Sequence, residues 1–156
     1  MPADYEFLPM NDASAREIAD GWKYEPPYDF YDATADSEDY DEFVNPEKWP
    51  ECFYKVCMAG QLVGFYLMTS SGDAMEIGLG MRPDLVGHGS GSGFVRACLD
   101  HARDERGFSG PVNLYVASFN ERAIRTYERI GFKKVREYLQ ETNGSEFPFV
   151  AMRLDG

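Results

Sequence analysis

The chain has 156 residues, 44% hydrophobic and 27% charged, which suits one domain with a full core and leaves little room for a second. A net charge of -12 weighs against duplex nucleic acid as a partner, because such binding needs cations to neutralise phosphates. Three cysteines without C-x-x-C spacing and only two histidines, His88 and His101, argue against a structural zinc site, any metal, or a disulfide scaffold. No run has the form of a signal peptide or the length of a membrane span, so the expected setting is reducing and cytoplasmic.

YEFLP at 4–8 predicts a short first strand. NDASAREIADG at 11–21 predicts a helix that Asn11 or Asp12 caps and Gly21 ends, with Ala13, Ile18 and Ala19 on its apolar side. The stretch GWKYEPPYDFYDA at 21–33 has neither helical nor strand period, and Pro26-Pro27 forbids continuing the helix. SEDYDEFV at 37–44 predicts a second short helix, closed by Asn45-Pro46. Residues 1–50 carry fourteen Asp or Glu against Arg16, Lys23 and Lys48, so nearly all the net charge lies here. That excess suits a cationic substrate; solubility or a salty cytoplasm explains it equally well.

Residues 51–70 predict two strands joined at 59–61, with Phe53, Lys55 and Cys57 on one face of the first and Tyr54, Val56 and Met58 on the other. AMEIGLGMRP at 74–83 predicts a further strand, closed by Pro83. The glycines of VGHGSGSG at 86–93 then run into a helix over 94–107 that Gly107 stops. A strand over 111–118, a helix over 120–132, and two strands over 132–141 and 146–154 complete the chain, with Asn143-Gly144 as the hairpin turn between the last two. The order is β-α-α-β-β-β-α-β-α-β-β, with no repeat and no second domain.

Two stretches carry chemistry. The glycine-rich junction of strand and helix offers successive backbone amides, a cradle for phosphate. It lacks the GK[ST] ending of a P-loop and is not a dinucleotide fingerprint. In LYVASFNERAIRTYERIGFKKV, Asn120 opens a helix, and Ala123 and Tyr127 follow three and seven residues on, roughly on one face. Tyr127 can therefore point back toward a ligand on the glycine loop, or simply pack under the sheet.

These two patterns together resemble the GNAT superfamily of N-acetyltransferases, which move an acetyl group from acetyl-CoA to an amine. The Arg or Gln-x-x-Gly-x-Gly or Ala pattern of that family lies over Val86, Gly87, His88, Gly89, Ser90 and Gly91. Its later pattern lies over Asn120, Ala123, Tyr127, Gly131 and Phe132. The last helix most resembles the ribosomal-protein alanine acetyltransferase type. Residues 51–154 carry the resemblance as an acetyl-CoA-binding core; residues 1–50 match in layout only, as acceptor-side helices and loop of one domain over 1–156.

The resemblance implies an α/β fold: a central mixed, mostly antiparallel sheet of about seven strands, flanked by helices and splayed near the fourth and fifth. It implies acetyl-CoA as co-substrate, its pyrophosphate on the amides of Gly87 to Gly91 and its pantetheine arm on the edge of the 74–82 strand, ending at Met81. Asn120 is expected to bond that arm or its neighbourhood. Arg122 and Arg125 approach the phosphates or pair with Glu121 and Glu128. Val86 and His88 depart from the usual residues. His88 then suits a phosphate-side contact, and Val86 leaves open a non-catalytic acyl-CoA sensor.

The reaction needs a neutral amine, since a lysine-type ammonium has a pKa of about 10. Glu76, central in its strand, is the candidate base acting through water, or else an exposed strand carboxylate. Tyr127 is the candidate acid for the departing thiolate, whose modest basicity makes its help partial. The cysteines are packing residues, and His101, in the charged stretch DHARDER, is expected at the surface.

The acceptor is a primary amine: a protein N-terminus, a lysine, a polyamine or an aminoglycoside-like molecule. Trp22, Tyr24, Tyr28 and Tyr31 offer an aromatic wall for it beside Glu25, Asp29 and Asp32. The alternative is that Trp22 and Phe30 seal the open side of the sheet. Both monomer and homodimer remain open.

Overall fold

The computed structural model describes residues 4–87 and 89–156. Seven strands form one mixed sheet: β1 (Glu6–Pro9), β2 (Cys52–Met58), β3 (Gln61–Ser71), β4 (Ala74–Met81), β5 (Val112–Ala117), β6 (Lys133–Thr142) and β7 (Ser145–Leu154). Their spatial order is β1-β2-β3-β4-β5-β7-β6, and every neighbouring pair is antiparallel except β4 with β5. Helices α1 (Asp12–Gly21) and α2 (Ser37–Val44) belong to one side, and α3 (Gly91–Arg106) and α4 (Glu121–Ile130) to the other.

Local sequence explains the boundaries. The Asn11 carboxamide accepts from Ser14 N at 2.8 Å and starts α1. Asp36 accepts from Glu38 N and Asp39 N and starts α2. Gly107, with φ of +60°, stops α3 in the left-handed region where a side chain is strained. Asn143 and Gly144 both take positive φ in the β6–β7 turn, the geometry that matches the strand twist. The α3 helix starts at Gly91, three residues before the position its apolar period predicts, because the first turn carries only small residues and shows no period.

The two faces of the sheet bury separate cores. Tyr66, Met68, Ile77, Leu114, Val116, Val150 and Met152 pack with Phe94, Cys98 and Leu99 of α3. On the opposite face Phe53 packs with Ile18, Trp22 and Met10, joined by Phe43, Trp49 and Phe65. Strand alternation sets this division: Phe53 and Lys55 face α1, where Lys55 Nζ donates to Ser14 Oγ at 3.2 Å, and Tyr54 and Val56 face α3. A bulge between Val56 and Cys57 breaks the alternation predicted for the end of β2.

His101 is not the surface residue that its charged neighbours predict. Its ring stacks on Phe7 at 4.2 Å, meets Tyr54 edge-on at 4.7 Å, and its Nδ1 lies 2.5 Å from the hydroxyl of fully buried Tyr66. Burial lowers its pKa against the opposing pull of Glu105 and Asp104. The helix period turns this one residue inward, between Cys98 and Glu105, while the charges around it face out. Among the described residues, no helix is long and apolar enough to cross a membrane.

Candidate active site

β4 and β5 pair only at Met75↔Val112 and Glu76↔Asn113. Beyond those positions they diverge, and a cleft of about 1500 Å³ opens between them, lined by residues from both faces of the sheet. Arg82 N–H bonds back to Val63 at 2.9 Å, whereas Met75 N–H crosses to Pro111 at 3.0 Å. Alternation therefore turns the backbone groups of Leu79 and Met81 into the cleft. The protein takes one of them itself: Tyr24 Oη donates to Met81 O at 2.7 Å. An extended chain bearing amides, such as the pantetheine arm, fits an edge of this kind.

The glycine loop continues β4 on the α3 side. Gly87 and Gly89 adopt φ of +85° and +82°, a backbone that only glycine takes without strain. Ser90 stands at the N-cap of α3 and makes no side-chain bond to the first turn, which leaves that turn's amides to water or a ligand. Val86, Gly87, Gly89 and Gly91 line the cleft; Ser90 does not, and His88 lies outside the described residues. A Cβ built on Gly87 would stand 3.1 Å from Arg122 Nη1, so the loop and the start of α4 touch.

From α4, Asn120, Arg122, Ala123 and Tyr127 reach the same cleft. The Asn120 side chain is engaged within the protein rather than turned to a cofactor arm. Its Oδ1 accepts from Ala123 N at 3.1 Å to cap α4, and its Nδ2 donates to Tyr31 Oη at 3.3 Å. Tyr127 packs edge-on against Phe132 at 5.9 Å. Burial pushes its phenol pKa well up, and Tyr31 and Cys98 add to the rise, so it keeps its proton across the neutral range. Glu76 enters from the opposite side. It shares a face with Gly78 and Gly80, as alternation predicts: a Cβ on those glycines would touch Leu67 and Phe65 of the α1 side. Its charge helps raise the Tyr138 pKa, after burial and Tyr115, against Arg136.

The four rings expected to form an acceptor wall all line the cleft but do different work. Trp22 is 6% exposed and packs on Phe65, a core residue, because it follows α1 directly and continues its buried face. Tyr24 is tied to the end of β4. Tyr28 lies under the Arg122 guanidinium, 4.1 Å from ring centroid to carbon, on the glycine-loop side. Tyr31 accepts from Ala117 N at 3.2 Å as well as from Asn120, which ties it to the end of β5. Phe30 does seal the sheet, against Phe119, Phe147 and Phe149. Asn143 then locks the segment from the far side: its N–H donates to Asp36 Oδ2 and its Nδ2 to Phe30 O, both at 2.9 Å.

A splayed β4–β5 pair, a positive-φ glycine loop and a buried tyrosine on the following helix form one connected cleft. The model of the acetyltransferase (GNAT) family matches residues 15–132. The chain belongs to the GNAT family. Over 83 residues it is 40% identical to a mycothiol acetyltransferase of Salinispora tropica; the match takes in 49% of this chain and 26% of that protein, so the chain spans only part of the curated relatives. Among solved structures, a GNAT-family acetyltransferase from Bacillus anthracis superposes with a TM-score of 0.70 at 17% identity, covering 99% of this chain and 96% of that one. A spermidine N-acetyltransferase from Vibrio cholerae, solved with CoA and spermine, superposes with a TM-score of 0.73 at 16% identity, covering 97% and 95%. The last two describe the fold.

Within this GNAT cleft, charge is sorted by element. Arg122, Arg125 and Arg129 come from α4. Asp36, Glu38 and Asp39 come from the start of α2, Glu141 from the β6–β7 hairpin, Glu76 from β4 and Asp32 from the segment before α2. Glu121 and Arg136 are the exceptions on each side. Asp39 has its pKa raised, first by burial and then by Asp36, Glu42 and Glu38, the signature of crowded carboxylates. Asp36 has its pKa lowered, first by the Asn143 amide. Sequence reasoning missed four residues that line this cleft: Tyr115, Tyr138, Arg136 and Phe149. For Arg136 and Tyr138 the signal was the two-residue period Arg136, Tyr138, Gln140, Thr142 along β6, which reads as an exposed strand until the cleft is formed.

Proposed function

We propose that this GNAT-family protein transfers the acetyl group of acetyl-CoA to a cationic primary amine by direct attack in a ternary complex. The observation that carries the reading is that Glu76 and Tyr127 enter one cleft from opposite sides of the sheet, with the unpaired edge of β4 between them. The glycine loop and the Leu79–Met81 edge hold the co-substrate. Glu76 accepts a proton from the ammonium through water. The neutral nitrogen attacks the thioester carbon, the C–S bond breaks, the Tyr127 hydroxyl protonates the departing sulfur, and the proton shed by the new amide nitrogen passes through water to restore the Tyr127 phenol. Backbone amides of β4 polarise the carbonyl. The whole of 1–156 acts as one domain.

The acidic wall of Asp36, Glu38, Asp39 and Glu141 selects a cation, and a polyamine fits better than a lone protein α-amine of the alanine acetyltransferase type. Mycothiol and spermidine acetyltransferases among the similar proteins support an amine acceptor in general terms. Val86 favours a second reading, a sensor that binds acyl-CoA without turnover.

An acceptor screen with acetyl-CoA and thiol detection, covering polyamines, free amines and N-terminal peptides, separates the two. The proposal expects turnover with at least one polyamine; CoA binding without thiol release under every acceptor favours the sensor. Tyr127→Phe should slow kcat roughly tenfold to a hundredfold, at or below the low end of the range for a general acid because a thiolate needs little help, with CoA affinity nearly intact. An unchanged kcat removes Tyr127 from the mechanism. Glu76→Gln should lower kcat/KM and flatten its pH dependence, and an unaltered profile removes Glu76 as base.

A further inference from the structure

The described residues of the glycine loop, Val86, Gly87, Gly89, Ser90 and Gly91, include no cation. The pyrophosphate of CoA would bring two negative charges to that loop. The guanidinium of Arg122 touches it, with Nη1 3.1 Å from where a Gly87 Cβ would stand. Of the other cations, Arg82 bonds Asp84 twice, Arg125 lies 3.7 Å from Glu121, and Lys23 Nζ donates to Thr34 Oγ1, while Arg129 stands about two turns further along α4. Arg122 has no carboxylate partner among the described residues and instead rests on the Tyr28 ring, 4.1 Å from its centroid. Arg122 and Tyr28 both line the main cleft and a second hollow of about 410 Å³ beside it, which Lys23, Glu25, Asp84 and Val86 also border.

We propose that Arg122 supplies the positive charge of the diphosphate site and that Tyr28, from the aromatic-proline segment, is its positioning residue. This rests on the acetyl-CoA reading above. A planar guanidinium can stack on a ring and still turn its edge N–H groups toward phosphate oxygens, which an ammonium cannot do as well. The ring fixes a long side chain that would otherwise lose rotamer freedom on binding. The absence of a side chain at Gly87 gives the guanidinium its room. The segment that sequence reasoning assigned to the acceptor thus also serves the co-substrate.

Isothermal titration of the full chain with CoA, and with pantetheine, which lacks the phosphates, tests this. Arg122→Ala should weaken CoA about tenfold, the scale of one charge-assisted contact, flatten the salt dependence of binding, and leave pantetheine unchanged. Tyr28→Ala should weaken CoA about threefold, in line with an exposed cation–π contact, and add nothing in the Arg122→Ala background. Tyr28→Phe should bind as the unaltered protein does. CoA affinity untouched by Arg122→Ala overturns the proposal, and so does an equal loss for CoA and pantetheine. Additive losses in the double variant overturn the role of Tyr28. Failure of the unaltered protein to bind CoA overturns the acetyl-CoA reading itself, and this proposal with it.

Discussion

The two irregular segments that meet at the cleft are built on opposite physical plans. The glycine loop over 86–91 works through what it leaves open: two positive-φ glycines and a helix start without a side-chain cap. The segment over 22–36 works through what it closes: Tyr24 bonds Met81, Tyr31 bonds Ala117 and Asn120, Phe30 packs on three phenylalanines, and Asp36 takes the Asn143 amide. Tyr24 and Tyr31 thereby link the ends of the two strands that diverge, as a strap across the mouth of the splay. Free polar groups mark one side of the cleft, and satisfied ones mark the side that holds it in shape.

Alkaline pH should have the largest effect, through the phenols buried at the cleft. Burial raises the pKa values of Tyr24 and Tyr127, so the unfolded chain ionises these phenols above about pH 10 while the folded chain keeps them neutral. Stability is full below that pH and falls as pH rises, by up to about 1.4 kcal/mol per unit for each such phenol. Tyr31 is 38% exposed and contributes less. Urea unfolding at pH 9 and pH 11 measures the drop, and a Tyr24→Phe, Tyr127→Phe double variant should show a shallower one; equal drops would remove these two phenols as its source.

Gly89→Ala tests the open side. No atom lies within 4 Å of a Cβ there, so its cost is backbone strain alone, about 1–3 kcal/mol. CoA affinity should fall about tenfold, with thermal unfolding little changed if the loop shifts to relieve the strain. An unaltered affinity would mean that the loop shape is not used.

Tyr31→Phe tests the closed side. It leaves the Ala117 amide without a partner and should cost about 1 kcal/mol of stability, read from urea unfolding. A loss in CoA binding without a loss in stability would reverse the division drawn between the two segments. The smallest effect is expected for Tyr24→Phe. It frees Met81 O, a group on the edge offered to the pantetheine arm, so CoA affinity should rise by up to about threefold while stability drops slightly. A fall in affinity would make Tyr24 part of the binding surface and not a competitor for it.

A further pH dependence lies away from the cleft. The pKa of His101 is lowered by burial, so the folded state resists its protonation. Stability should therefore decline as pH falls below about 6.5, where the unfolded histidine gains its proton. His101→Gln should weaken that decline in urea unfolding compared at pH 7.5 and pH 5.5.

Sequence by itself determined the elements whose cause is local. Caps at Asn11 and Asn120, the stops at Gly107 and Gly131, and the Asn143-Gly144 turn each rest on backbone chemistry within a few residues, and the structure puts helix ends and turns there. The glycine loop and the Asn120–Ala123–Tyr127 spacing were legible for the same reason. Only the tertiary structure decided which rings face what. The segment at 21–33 has no period, so its side chains take directions from partners far along the chain: Met81, Ala117, Arg122 and Phe147. His101 and Tyr138 went unread on similar grounds, since each looks exposed until the contacts with Phe7 and Tyr66, or the cleft, are formed. Local sequence fixes where the backbone can turn; long-range packing fixes what the side chains then meet.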